Sequence, residues 1–168
     1  MGKAGVKPGA KDAAHRLITV GKPKSPYIAQ GLADYADRLK VYGGCQLLHL
    51  KAERAAKGKT PDQLMAAEAG RILEALTPRD VLWALDRTGA AWSSKKWATE
   101  LNKVRESGLP RLCLVIGGAE GLDRGVLQRA QAIISLGSLT LAHEMAALVA
   151  LEQLYRAHTI LAGTPYHR

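Results

Sequence analysis

The chain of 168 residues is 47% hydrophobic and carries 24 Lys and Arg against 15 Asp and Glu, for a net charge of +9. This length and composition fit one globular domain with a sizeable core and exclude a disordered tail. We expect no membrane span, because no run of about 18 consecutive apolar residues occurs. A positive excess of this kind is typical of proteins whose partner is a polyanion such as RNA.

Short apolar runs alternate along the chain with segments of helical periodicity. Strands are predicted over residues 17–20, 46–50, 81–85, 112–116 and 133–136. Helices are predicted over residues 26–40, 61–76, 94–106, 124–131 and 143–158. Their predicted N-caps are Ser25, Thr60, Ser93 or Ser94, and Asp123. This alternation predicts an α/β fold with a mainly parallel sheet sandwiched by helices.

The positive charge is concentrated in two places. Residues 1–24 carry six Lys and Arg against one Asp, and we expect residues 1–14 to form a basic extension before a single domain over residues 15–168. A second basic cluster lies between residues 51 and 59, where four cations surround Glu53. Each cation alone could be ordinary solvated charge, but their sum favours RNA, because contacts with phosphates add up.

The cysteine and histidine content predicts no metal site and no disulfide. Cys45 and Cys113 are the two cysteines, and no Cys/His group has the spacing of a zinc site. The N-terminus lacks the apolar segment of a secretory signal. We therefore expect a cytoplasmic protein with two free thiols.

A buried strand followed by a glycine turn opens the C-terminal third. Residues 112–116 are five apolar residues in a row, and Gly117, Gly118 and Gly121 follow them directly. Glycines in such a turn let a ligand lie against the backbone. The spacing is neither that of a dinucleotide fingerprint nor that of a P-loop. Taken alone, an ordinary strand-to-helix turn explains the pattern equally well.

The chain after this turn has a second strand, a loop and a long helix. The loop over residues 137–142 contains Gly137 and Ser138 and then an apolar stretch. The helix over residues 143–158 is apolar on more than one face, so it is either central in its own fold or packed against another subunit. At this chain length we favour a subunit contact.

Four stretches of the chain carry a family resemblance: WALDRTG, VIGGAEG, SLGSLTLAHE and LEQLYRAHTILAGTPYHR. Together they resemble the bacterial 23S rRNA (pseudouridine-N3)-methyltransferase family of the SPOUT class, over residues 17–168. The resemblance implies S-adenosylmethionine as cofactor, no metal, a homodimer and a C-terminal deep trefoil knot. It further implies 23S rRNA in the assembled ribosome as the substrate.

The resemblance also implies the residues of the site. The family's cofactor positions correspond here to Leu85, Gly117, Gly118, Leu136, Gly137, Ser138, Leu139, Thr140 and Leu141. Its functional C-terminal residues correspond to Tyr166, His167 and Arg168, and His143 heads the long helix beside the cofactor loop. In a homodimer, the tail of one subunit is expected to reach the cofactor of the other. Glu120 could contact the substrate or brace the glycine turn.

The implied chemistry is methyl transfer to a ring nitrogen. The N3 proton of pseudouridine must leave, so a general base, or cations that stabilise the ionised base, should help. Among these residues, His167 could accept or relay the proton, Arg168 could hold a phosphate or the ionised base, and Tyr166 could stack or donate. His143 could transfer a proton or only orient the loop.

The chain departs from the family pattern at three positions. Ala119 and Ala142 stand where the family commonly has proline, and Ala147 stands where it often has arginine. If that arginine binds RNA, another cation must replace it here. Two alternatives remain open: a SPOUT methyltransferase that acts on tRNA, and a basic RNA-binding or ribosome-associated protein without catalysis.

Overall fold

A five-stranded parallel sheet runs through residues 13–109 and 111–167, the part of the chain that the computed structural model describes. The strands are β1 (His15–Val20), β2 (Cys45–Leu50), β3 (Asp80–Ala91), β4 (Arg111–Ile116) and β5 (Ala132–Ser135). The helices are α1 (Pro26–Arg38), α2 (Pro61–Glu74), α3 (Ser94–Glu106), α4 (Arg124–Arg129) and α5 (His143–Leu161). The strand order is β2-β1-β4-β3-β5. Residues 1–12 of the predicted extension, and Arg168, lie outside the described residues.

Helices cover both faces of the sheet. Leu17 and Leu114 pack with α1, α3 and α5, whereas Ile18 and Val115 pack with α2 and α4. Neighbouring residues of one strand thus enter opposite cores, as the pleat of a strand requires. Burial on both faces explains why the central strands are continuous apolar runs rather than alternating ones.

The predicted α/β class, the parallel sheet and the order of elements are confirmed. The largest difference is in β3, which was predicted to end at Leu85 and continues to Ala91. Its pairing with β5 breaks after Leu85 and resumes at Ala90, and the second half of the strand is largely exposed. The exposed half of the strand has no apolar pattern, so strand periodicity could not predict it. The trefoil knot stays a prediction.

The four predicted N-cap positions are confirmed, and at three of them the side chain makes a capping hydrogen bond. Thr60 and Gln63 form a reciprocal capping box, Ser93 accepts from the Lys96 N–H, and Asp123 accepts from the Gly125 N–H. The side chain of Ser25 makes no capping bond to α1. A carboxylate from α5 lies at this helix start instead, as described below.

Helix α5 is central in its own fold. It packs between α1 and α3 and over β1 and β4, and each of its residues is buried or half-buried. This position accounts for its apolar residues on several faces without a second subunit. The subunit contact that the sequence favoured therefore stays a prediction.

Two buried histidines join β1 to the end of α5. The Nε2 atoms of His15 and His158 lie 2.8 Å apart, and each residue is 4% exposed. Burial, together with its histidine partner, lowers the pKa of His15 to about 3. Burial and the charge of Arg105 lower the pKa of His158 to about 4. Tyr42 stacks on His158 with the ring centroids 4.5 Å apart.

We expect this pair to weaken the fold at mildly acidic pH. Both histidines are neutral in the folded state, whereas the unfolded chain binds protons as the pH falls below about 6.5. Their stabilising effect is therefore complete above that pH and is lost towards pH 4, with a slope of up to about 1.4 kcal/mol per pH unit for each residue. The measurement is denaturant unfolding at a series of pH values between 7 and 4.5, above the range of most carboxylates.

The double variant His15→Gln/His158→Gln should be less stable than the wild type. Its free energy of unfolding should fall less steeply as the pH is lowered, because it lacks both titrating groups. His167→Gln, at an exposed position of the tail, serves as the control and should keep the full slope. Equal slopes in the double variant and the wild type would contradict the assignment.

Candidate functional site

A cavity of about 730 Å³ lies at the carboxyl ends of three strands. Its walls come from the segment after Leu85 in β3, the glycine turn after β4 and the loop after β5. Leu85 is level with Ile116 in the sheet, so the first two walls begin side by side. The carboxyl edge of a parallel sheet is where ligands bind in folds of this kind.

All nine residues that the sequence predicted to contact a cofactor line this one cavity, and His143 lines it too. Six of the nine, Leu136 to Leu141, are consecutive. The lining also includes residues that were not predicted: Asp86, Arg87, Thr88, Ile116, Ala119, Gly121, Leu122, Leu127, Ile134, Ser135 and Ala146. Of the functional tail, Tyr166 and His167 are not among the lining residues.

The unpredicted wall is an irregular segment within β3. Asp86 Oδ1 accepts hydrogen bonds from the N–H of Thr88, at 2.8 Å, and from its hydroxyl, at 2.6 Å. Arg87 is exposed and makes no ion pair within the described part of the chain. The wall therefore offers an oriented carboxylate and an unpaired cation beside the leucines. Their place directly after a buried strand, at the carboxyl edge of a parallel sheet, is the signal that could have identified them.

The glycines of the turn are required by the protein itself. A Cβ on Gly117 would lie 2.3 Å from the carbonyl oxygen of Gly121. A Cβ on Gly118 would lie 3.0 Å from a carboxylate oxygen of Glu68, on the side of Val20 and away from the cavity lining. Gly121 has φ of 92°, which favours glycine. The turn thus brings backbone atoms to the cavity. The space that side chains at Gly117 and Gly118 would need is occupied by other parts of the protein, by Gly121 in the first case and by Glu68 in the second.

The loop after β5 is held at its start and open beyond. The hydroxyl of Ser135 donates to the carbonyl of Gly137 at 3.0 Å, and the N–H of Gly137 lies 3.3 Å from the same hydroxyl. Gly137 has φ of 120°. Leu139 is 80% exposed, although leucine is usually buried. Leu139 is also one of the residues that line the cavity.

The start of α5 joins the cavity to the neighbouring loop of β1. His143 is half-buried in the cavity wall. Glu144 accepts hydrogen bonds from the N–H groups of Lys24, at 3.0 Å, and Ser25, at 3.2 Å. These two bonds lower the pKa of Glu144 and tie the start of α1 to α5. Ala147, the position of the family's arginine, is 1% exposed.

The C-terminal tail is folded back along α5, away from the cavity. The Tyr166 hydroxyl lies 3.2 Å from the hydroxyl of Tyr35 and 3.2 Å from Glu152 Oε1. The Arg156 guanidinium lies 4.6 Å from the centroid of the Tyr166 ring. Burial, with the hydrogen bond to Tyr35 and the charge of Glu152, raises the pKa of Tyr166. Since α5 rises about 1.5 Å per residue, Glu152 lies roughly 14 Å along the axis from His143.

The described residues contain no group of three or more His, Cys, Asp and Glu that could hold a metal ion. Nor is any helix in residues 13–109 and 111–167 both long and apolar enough to cross a membrane.

Comparison with known proteins adds the family. The family model described as "Predicted SPOUT methyltransferase" matches residues 14–167. A solved structure, titled as a probable methyltransferase from Bordetella pertussis Tohama I, superposes with a TM-score of 0.56. The superposition covers 88% of this chain and 96% of the solved chain, and the two sequences are 16% identical. The similarity therefore supports the fold.

Curated relatives are similar over almost the same range. A protein of Desulfovibrio desulfuricans is 43% identical over 152 residues, which cover 90% of this chain and 96% of the relative. A protein of Limosilactobacillus reuteri is 40% identical and one of Anaeromyxobacter is 41% identical, each covering 91% of this chain and 98% of the relative. All three are named ribosomal RNA large subunit methyltransferase H. The chain therefore belongs to the SPOUT methyltransferases and, among them, to the family of these relatives.

Proposed function

We propose that this protein methylates N3 of a pseudouridine in 23S rRNA of the assembled ribosome, with S-adenosylmethionine as the methyl donor. The observation that carries the proposal is the cavity at the ends of β4, β3 and β5, lined by the loop of residues 136–141. The names of the relatives, each an rRNA large subunit methyltransferase, support the choice of substrate. An enzyme that acts on ribosomes works in the bacterial cytoplasm.

The cavity suits a nucleoside cofactor in size and in lining. Its volume of about 730 Å³ falls within the usual range for small-molecule sites. Leu85, Leu139 and Leu141 offer apolar walls for an adenine ring, and the backbone of the loop offers polar partners. Arg87, which makes no ion pair within the described residues, is a cation that could bind the carboxylate of the cofactor. Bound S-adenosylmethionine supplies an electrophilic methyl group on sulfur.

The residues of the chain must then orient the base and take up its N3 proton. His143 is placed in the cavity wall and can accept a proton or orient the loop beside it. Asp86 already accepts two hydrogen bonds from Thr88, which fixes its carboxylate in the wall. Glu120, exposed at the glycine turn, is available to the substrate.

We further infer a homodimer with composite sites, in which Tyr166, His167 and Arg168 of one protomer complete the cavity of the other. The position of Tyr166 beside Glu152 supports this, because the tail does not line the cavity of its own chain. The deep trefoil knot around the cofactor loop belongs to the same proposal. So does the division into an N-terminal extension and one domain over residues 15–168.

Methyl transfer to three acceptors tests the function directly. Labelled S-adenosylmethionine is offered with assembled ribosomes, free 23S rRNA and bulk tRNA, and the labelled nucleotide is mapped. We expect label on a pseudouridine of 23S rRNA in assembled ribosomes. Label on tRNA would show that the substrate is tRNA and not rRNA. The absence of label, together with the absence of cofactor binding, would favour a non-catalytic RNA-binding protein.

A bulky side chain in the loop should fill the cavity without disturbing the core. Thr140 is exposed and lines the cavity, so Thr140→Trp should lower the affinity for S-adenosylmethionine by roughly 10-fold or more. The measurement is titration calorimetry. Thr99→Trp places the same side chain on an exposed position of α3 and should leave the affinity unchanged. If the affinity of Thr140→Trp for S-adenosylmethionine is unchanged, the loop is not part of the cofactor site.

The composite site can be tested by mixing two variants that are each inactive at an S-adenosylmethionine concentration that fills the wild-type cavity but not that of Thr140→Trp. Deletion of residues 166–168 should keep cofactor affinity and abolish transfer, because the cavity stays intact while the tail is missing. When this variant is mixed and re-equilibrated with Thr140→Trp, each mixed dimer gains one complete site if the tail acts across the dimer. Random exchange should then restore about a quarter of the wild-type activity. Exchange without any recovery would show that each tail serves its own chain.

A further inference from the structure

Four exposed cations follow β1 and β2, the two strands on one side of the strand that ends in the glycine turn, and none of the four has an acidic partner within the described residues. They are Lys22, which follows β1, and Lys51, Arg54 and Lys57, which follow β2; we name this set the basic rim. None of them makes an ion pair within the described residues, although Lys59 and Arg71 next to them both pair with Glu53. The pKa of His49 is lowered mainly by burial and, to a smaller extent, by the charge of Lys22. Lys22 therefore lies near His49 of β2.

The strands that precede the basic rim end at the same edge of the sheet as the strands that end at the cavity. Val20 of β1 pairs with Leu50 of β2, and Thr19 pairs with Ile116 of β4. The N–H of Gly21 donates to the carbonyl of Leu50 at 2.7 Å, so the two loops start in contact. Because adjacent strands lie about 4.8 Å apart, β2 ends roughly 10 Å from the glycine turn.

The loop that carries most of the basic rim is held in place. The Glu53 carboxylate binds Lys59 at 2.7 Å and Arg71 at 2.5 Å, and Arg71 also donates to the carbonyl of Lys51 at 2.9 Å. The N–H of Glu53 donates to Glu68 Oε1 at 3.0 Å. Glu68 is buried, and its other carboxylate oxygen lies against Gly118. One buried carboxylate therefore contacts both the basic loop and the turn of the cavity.

We propose that the basic rim binds the phosphates of the rRNA strand that flanks the target nucleotide, and so delivers that nucleotide to the cavity. The identity of the RNA rests on the proposed function. Nucleic-acid backbones are recognised by rows of lysine and arginine, whereas protein interfaces need an apolar or aromatic centre. Residues 51–59 expose no large apolar side chain, so an acidic protein is the less suitable partner.

The test compares two triple variants with the same change in net charge. Lys51→Gln/Arg54→Gln/Lys57→Gln neutralises three of the four cations of the basic rim, those that follow β2. Arg79→Gln/Lys103→Gln/Arg105→Gln neutralises three exposed cations at the opposite, amino-terminal edge of the sheet. Each labelled protein is titrated with purified bacterial ribosomes at several KCl concentrations, and S-adenosylmethionine affinity is measured by calorimetry as a check of the fold.

We expect the rim variant to bind ribosomes roughly 10-fold or more weakly and to lose about two units from the slope of log affinity against log salt. The control variant should resemble the wild type, and both should bind S-adenosylmethionine normally. Equal losses in the two variants, or no loss in the rim variant, would overturn the proposal. Methyl transfer is followed in the same samples. Wild-type protein that binds through the rim but transfers no methyl group would overturn the proposed function and leave the basic rim standing.

Discussion

The close approach of β3 to β5 at Gly89 is the contact on which the cavity depends. A Cβ on Gly89 would lie 2.5 Å from the backbone of Ile133 and Ile134, so only glycine allows the two strands to pair on both sides of the irregular segment. Because β3 resumes pairing at Ala90, the residues between Leu85 and Ala90 are pushed out of the ladder. Three of them, Asp86, Arg87 and Thr88, line the cavity beside the glycine turn.

The carboxyl edge of the sheet is divided between two kinds of surface. The ends of β4, β3 and β5 carry the cavity, which mixes leucines with backbone and a few charges. The loops after β1 and β2 carry the basic rim, whose cations make no ion pair in the part of the chain that the structure describes, and residues 51–59 expose no large apolar side chain. Glu68 lies at the border between them and bonds to the backbone of the basic loop. A cofactor and a polyanion would thus bind to adjacent surfaces, with Glu68 between them.

Local sequence signals predicted most of the fold, and contacts between distant residues explain what they missed. Apolar runs identified the strands, and the caps at Thr60 and Asp123 follow from hydrogen bonds within three residues. The link at the start of α1 could not be predicted from its neighbours, because Glu144, which lies 119 positions after Ser25, accepts hydrogen bonds from the N–H groups of Lys24 and Ser25. The lining of the cavity by residues 136–141 was expected from family resemblance. The wall at Asp86 depends on pairing with a strand almost fifty residues further on, which no local pattern records.

The position of the C-terminal tail is the reason for proposing a second protomer. Tyr166 is fixed by Tyr35, Glu152 and Arg156, so its neutral hydroxyl is held against the middle of α5. His167 follows it at an exposed position and is not part of the cavity wall of its own chain. A tail anchored in this way presents its last residues outward from a fixed point. If those residues act in methyl transfer, the cavity they serve must be brought to them by another copy of the chain.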